Sequence, residues 1–330
     1  MKKKWPVLAL CVVLVCSCFG FAACGKEDNG NKGDTFTGAV SEERYDSEEA
    51  AVKAFLQTEL ADVALFTEYA RGKELSAKEI DALGLSAEER AAVQSAVSVT
   101  VTYSADFTMM PDLAGASKRY THNMYVLHCT DGQYGFFAPL PKEGEAITQS
   151  YLNAVLRAEQ YVNCTVQVKG LEYDVIDINF ADNMIYAYTE YRYKHDVEKE
   201  YTYTVLTDKG FYTASKRTEN DEQEDFALEK GVGNGLEIDT VADLIRISNE
   251  GFIDDFELRY GMKTKEGFSL MGYGLLLHCR VENGALRKVN VQGGHDINGT
   301  IEFSDFGQTE VTLPSEVSAL LAAENATVVK

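Results

Sequence analysis

Gly274-Leu-Leu-Leu-His-Cys-Arg-Val-Glu-Asn-Gly-Ala-Leu-Arg-Lys-Val-Asn-Val-Gln292 is the stretch on which the fold of this chain turns. Asn283-Gly284 sits between two runs of alternating character, and both residues tolerate the positive φ that a two-residue hairpin turn demands. Leu275 and Leu277 share one side of the first run; Val289 and Val291 share one side of the second. The stretch therefore reads as two antiparallel strands with one apolar and one polar face.

The same grammar recurs upstream. Asn163 to Lys169 reads as a strand, and Asp174 to Phe180 turns at Asp182-Asn183 into Met184 to Tyr193. Tyr201 to Thr207 turns at Asp208-Lys209-Gly210 into Phe211 to Lys216. A helix is expected from about Asp239 to Ser248, a last strand from Gly299 to Phe306, and a terminal helix capped by Ser315. Hairpins at this spacing predict one antiparallel sheet over residues 161–330, wide enough that it should curl.

The ending Ile301-Glu-Phe-Ser-Asp-Phe-Gly307, followed by Val311-Thr-Leu-Pro-Ser-Glu-Val317, is similar to that of LolA-like and LppX-like envelope lipoproteins. The resemblance extends to the hairpin Leu275–Gln292 and to the many long strands, roughly the last half of the chain. It implies an open half-barrel with covering helices, and an apolar cavity on the concave side that takes acyl chains or other amphiphiles. Candidates for the lining are Ile185, Val205, Leu275, Leu277, Val289, Val291, Ile301 and Phe303. Each buried apolar side would contribute about 25 cal/mol per Å² removed from water.

Residues 46–160 predict a smaller α+β domain. Asp46 or Ser47 can cap a helix with Val52, Phe55, Leu56, Leu60, Val63 and Phe66 at helical spacing. Ser76 with Glu79 and Ser86 with Glu89 form two capping boxes. Val97 to Phe107 is rich in β-branched residues, and Asp131-Gly132 joins Asn123–Thr130 to Gln133–Ala138 as a hairpin that Pro139 and Pro141 stop. A helix from Thr148 to Glu159 closes the region. The whole chain is thus α+β.

The front end carries an address. Lys2, Lys3 and Lys4 precede the uncharged apolar run Trp5 to Phe21, and Ala22-Ala23 lead to Cys24. Phe21-Ala22-Ala23-Cys24 resembles the lipobox of bacterial lipoproteins, with Phe21 where that pattern usually has Leu. The resemblance implies a signal peptide over residues 1–23, a diacylglyceryl group on Cys24, and a protein moored at the extracytoplasmic face of the cell membrane. Residues 24–45 have linker composition and predict a flexible tether with a reach of about 25 Å.

Charge narrows the partners. The chain holds 31 basic and 52 acidic residues, a formal charge of −21; loss of Lys2, Lys3 and Lys4 leaves 28 against 52, or −24. Such a balance disfavours nucleic acid. Cys129, Cys164 and Cys279 are an odd set after the leader and Cys24 are set aside, so buried thiols are expected, not a disulfide framework. His128-Cys129 and His278-Cys279 point to opposite sides of their strands, which argues against thiol catalysis. The histidines lack metal-ligand spacing, and Gly231, Gly233 and Gly235 lie among hairpins, not in a phosphate-binding βαβ unit. No cofactor and no enzymatic activity are expected. Tyr186 and Tyr188 on one strand, with Tyr201 and Tyr203 on the next, could instead form an aromatic platform for a sugar or a lipid headgroup. The function expected is non-covalent binding of an amphiphile or an envelope ligand, with an envelope sensor or protein-interaction role as the alternative and a hydrolase third.

Overall fold

The computed structural model describes residues 37–60, 65–104, 119–171, 175–193, 196–220, 222–231, 241–242, 245, 261–272, 275–293 and 298–329. The leader, Cys24 and most of the expected tether lie outside them. So does most of the helix expected over 239–248.

Two antiparallel sheets organise the chain, and the architecture is α+β with strands dominant. The first contains β1 (Gly38–Val40), β2 (Leu65–Glu74), β3 (Val93–Ser104), β4 (Arg119–Cys129) and β5 (Tyr134–Pro139), in the order β1-β5-β4-β3-β2. Helix α1 (Glu48–Glu59) begins where Ser47 accepts the Ala50 N–H. It packs Val52, Phe55 and Leu56 onto Val97, Val99, Met124 and Phe136. The opposite side of the sheet is covered by α2 (Ala77–Asp81) and α3 (Ala87–Ala92), whose capping boxes form as predicted.

Three expectations for this region need correction. Residues 38–40 are not tether: Ala39 stands opposite Ala138, and Tyr45 bridges to Tyr134, because β5 would otherwise leave an open edge. The first helix stops at Glu59 and does not run on to Phe66. Leu65–Glu74 is instead a strand, and its polar residues hid it, since an edge strand is defined by its neighbour and not by alternation. Finally, the helix expected to close the first region, α4 (Gln149–Val155), buries Tyr151, Leu152 and Val155 in the core of the second sheet. Ala146 bridges to Met262, so the chain has already joined the second sheet before α4 starts.

The second sheet has twelve strands: β6 (Asn163–Lys169), β7 (Val175–Ala181), β8 (Met184–Tyr193), β9 (Asp196–Thr207), β10 (Gly210–Glu219), β11 (Glu222–Gln223), β12 (Ala227–Lys230), β13 (Met262–Lys263), β14 (Gly267–Gly272), β15 (Leu275–Glu282), β16 (Ala285–Gly293) and β17 (Asn298–Ser304). Its order is β11-β10-β9-β8-β7-β6-β17-β16-β15-β14-β13, with β12 also along β10. Two meanders are thus sealed where the last strand, β17, pairs with the first, β6. The β15–β16 turn has φ 53° at Asn283 and 76° at Gly284, the geometry that dipeptide predicts. The sheet is open, since its two edges do not pair with each other.

One face of this sheet packs on α4 and a large apolar core. The other is mostly open. The exceptions are β6, where Thr309 lies against Asn163 and Thr165, and the β9–β10 end, where α5 (Ser315–Ala323) lays Val317 and Leu321 on Val205, Tyr212 and Ala214. The N-cap of α5 is Pro314, with no side-chain bond, so the capping expected of Ser315 is not formed. Among the described residues no helix is long and apolar enough to cross a membrane.

Candidate functional site

The expected lining residues divide between the two faces. Ile185, Leu275, Leu277, Val289, Val291 and Ile301 are buried together in the core beneath α4, and half-buried Phe303 packs against Tyr161 with ring centroids 5.6 Å apart. Val205 is on the other face, under α5. It stands opposite Met184, not Ile185, so the register of β9 on β8 puts it one step out of phase with the other seven. Among the described residues a small cavity, about 20 Å³, lies on the core side between Leu156, Tyr161, Val166, Phe180, Ile245, Leu286 and Phe303. That is the size of one water molecule, not of an acyl chain. The Tyr161 hydroxyl already fills its own needs there, donating to Val155 O at 2.6 Å and accepting from Leu286 N at 2.9 Å.

The open face is built differently. The pairing register sets Lys216, Tyr201, Tyr188, Asp177, Gln167, Glu302, Lys288 and Arg280 in one row across eight strands. The next row runs Ala214, Tyr203, Tyr186, Asn179, Thr165 and Ser304. Neighbouring strands lie about 4.8 Å apart, so each row places a side chain at about that interval across the sheet.

All four predicted tyrosines meet here, half-buried. Tyr186 and Tyr203 have centroids 4.9 Å apart at 39°, and Tyr188 and Tyr201 are 5.1 Å apart at 44°. Phe226 extends the group, edge-on to Tyr203 at 5.9 Å, and the Lys216 ammonium sits 5.3 Å above the Phe226 ring. Cross-strand aromatic pairs of this kind stabilise a sheet by roughly 0.2–1 kcal/mol each. Their remaining exposed faces offer flat apolar area with hydroxyls at the rim.

Burial, and then the neighbouring Tyr203, Tyr201 and Asp177, push the Tyr186 hydroxyl up to about 12. Tyr188 is raised as well, by burial and by its hydrogen bond to Glu190. Both therefore remain protonated donors at neutral pH. Glu190 is held below the usual carboxylate range by that same hydroxyl and by Arg192, whose Nε donates to it at 2.5 Å. Asp177, opposite Tyr188, keeps a buried Oδ1 with no hydrogen-bond partner. Three ion pairs lie along the face: Arg192–Glu190 and Arg280–Glu282 at 2.5 Å, and Lys288–Glu302 at 2.7 Å.

Sequence reasoning found the tyrosines but missed Asp177, Gln167, Asn179, Lys199 and Lys216, which share their face. Counting alternate residues outward from each turn would have found Lys199 and Lys216. The β6–β17 junction carries no local signal, so Glu302 and Lys288 could not be aligned that way.

Elsewhere, Ser269 Oγ and His278 Nδ1 lie 2.9 Å apart across β14 and β15. Cys129, Cys164 and Cys279 are buried free thiols, and burial raises the pKa of each, to about 12 for Cys164. Among the described residues no group of three or more His, Cys, Asp or Glu could hold a metal ion. Comparison with protein-family models, with curated proteins and with solved structures finds no match for this chain.

Proposed function

We propose that this chain is a lipid-anchored, extracytoplasmic binding protein that holds an envelope ligand without chemistry, on the open face of its second sheet. In this reading Cys24 carries the diacylglyceryl anchor, and the second sheet is a LolA-like half-barrel whose concave side is filled by its own side chains. What supports the choice of face is the tyrosine group: two tilted cross-strand pairs, half-buried, in line with amide, carboxylate and basic side chains. Among the described residues, the cavity on the core side has room for about one water. A protein-docking role would want a flat apolar patch, and among the described residues only Leu140 and Val329 are exposed large hydrophobics.

The test is co-sedimentation of the full-length protein with envelope material stripped of protein by protease and detergent. The wild type should pellet, and the Tyr186→Ala/Tyr201→Ala double variant should stay in solution with its melting temperature lowered by only a few degrees. Equal pelleting of the two would remove the tyrosine face from consideration. Lipid retained by the wild type in native mass spectrometry would return the amphiphile to the concave side.

A further inference from the structure

Resting on the open face as the ligand surface, we infer that its ligand is an anionic glycan, with sugar rings on the tyrosines and the acidic group held by Lys199 and Lys216. The first support is local charge. The chain as a whole is strongly acidic. On this face, however, the three ion pairs cancel one another's charge and leave Lys169, Lys199 and Lys216 against Asp177 and Glu316, with Lys199 across from the already paired Glu190. The second support is placement. Lys216 stands directly across from Tyr201, and Lys199 is two residues before Tyr201 on the same side of β9. Tyr201 thus has a lysine on either side, each with its backbone within about 7 Å along or across the strands, and the Lys216 ammonium lies over the neighbouring Phe226 ring. Glu316, at the start of α5, lies near enough for Lys216 to help lower its pKa, after its own backbone and Ser315, and forms no ion pair with it among those described.

The third support is the opposite side of the same ribbon. Glu198, Glu200 and Glu219 alternate to the core-side face with Arg217 beside them, so among the described residues β8 to β10 present a basic side and an acidic side. An anion has one favourable side on which to land. Asp177 marks the far boundary: it lies beyond Tyr188, on the β7 side, and repels an acidic group that strays past the aromatic pair. Sugar rings bring flat C–H surfaces to the tyrosines, and their hydroxyls meet Asn179 and Gln167, which continue the two rows.

Matched probes decide the matter by calorimetric titration of the full-length protein. Oligogalacturonate carries a carboxylate on each ring, and its methyl ester has the same rings and linkages without charge; dextran phosphate and plain dextran form the equivalent phosphate pair. At low salt at least one acidic member should bind about tenfold tighter than its neutral partner, and the advantage should shrink as salt rises through the range where surface charges are screened. Lys199→Gln/Lys216→Gln should erase that advantage while leaving the weak neutral binding within about twofold. Asp177→Asn should tighten acidic binding about two- to threefold, the opposite direction to a simple loss of structure. Which pair shows the difference separates a uronic acid from a sugar phosphate. Equal binding of acidic and neutral members, unaffected by the lysine changes, overturns the anionic ligand but leaves the tyrosine face standing. Binding that survives Tyr186→Ala/Tyr201→Ala overturns both.

Discussion

His122 is the residue with most to say about acid. It is fully buried beside Phe55 in the first lobe, with neither ring nitrogen hydrogen-bonded and Glu145 4.0 Å from Nδ1. Burial lowers its pKa to about 4, against the pull of Glu145. A base depressed in the folded state leaves the unfolded chain holding more protons between about pH 6.5 and 4. Stability from this group is therefore complete above the unfolded value and is lost as pH falls through that window, by on the order of 3 kcal/mol. Glu59 works in the other direction: burial raises its pKa, with the Ser150 N–H opposing, so its contribution is complete at acid pH and fades as pH rises through the folded value. Urea titrations at stepped pH should show the decline below pH 6.5 in the wild type and its absence in His122→Leu. An identical decline in both would show that another group controls it. Both nitrogens of His122 were opaque to sequence reading, because a lone histidine among alternating residues looks the same in or out.

At the level of single elements, the hairpins carry the design. Asn283-Gly284, Asp131-Gly132 and the turn at Gly210 all lie where dipeptide chemistry placed them, since each needs a φ that few residues accept. Gly267 has a different reason to be glycine. It faces Arg280 across β14 and β15, and a Cβ there would lie 2.1 Å from the Cys279 carbonyl oxygen. Gly267→Ala should force the two strands apart and cost about 1–3 kcal/mol. The loss should appear in chemical denaturation, with faster hydrogen exchange at Cys279 and Val281. Unchanged stability would mean that β14 shifts at no cost. Elements defined by a partner escaped the sequence: β2 is a polar edge made a strand by β3, and β1 joins because β5 has an unpaired side.

For the whole molecule, the two lobes are linked by short backbone contacts and one buried carboxylate. The Lys263 N–H donates to Glu145 O at 2.8 Å, Ile147 N–H donates to Gly261 O at 3.2 Å, and Glu59 at the end of α1 accepts from the Ser150 N–H of α4. Substitution at the proposed anchor should leave this body intact and change only where it resides. Cys24→Ala is expected to release the protein from the membrane fraction into the soluble extracytoplasmic fraction, with the circular dichroism spectrum unchanged. Membrane retention of Cys24→Ala would exclude a thioether-linked lipid as the tether.

Alternation and turn chemistry were enough to read most strands, both capping boxes and the tyrosines, because these depend on neighbours a few residues away along the chain. Tertiary structure alone decided that β17 closes onto β6, that α4 belongs to the second core, and that Val205 faces away from Ile185. Each of those depends on which distant backbone satisfies an edge or which apolar face covers another, and local periodicity holds no record of such choices.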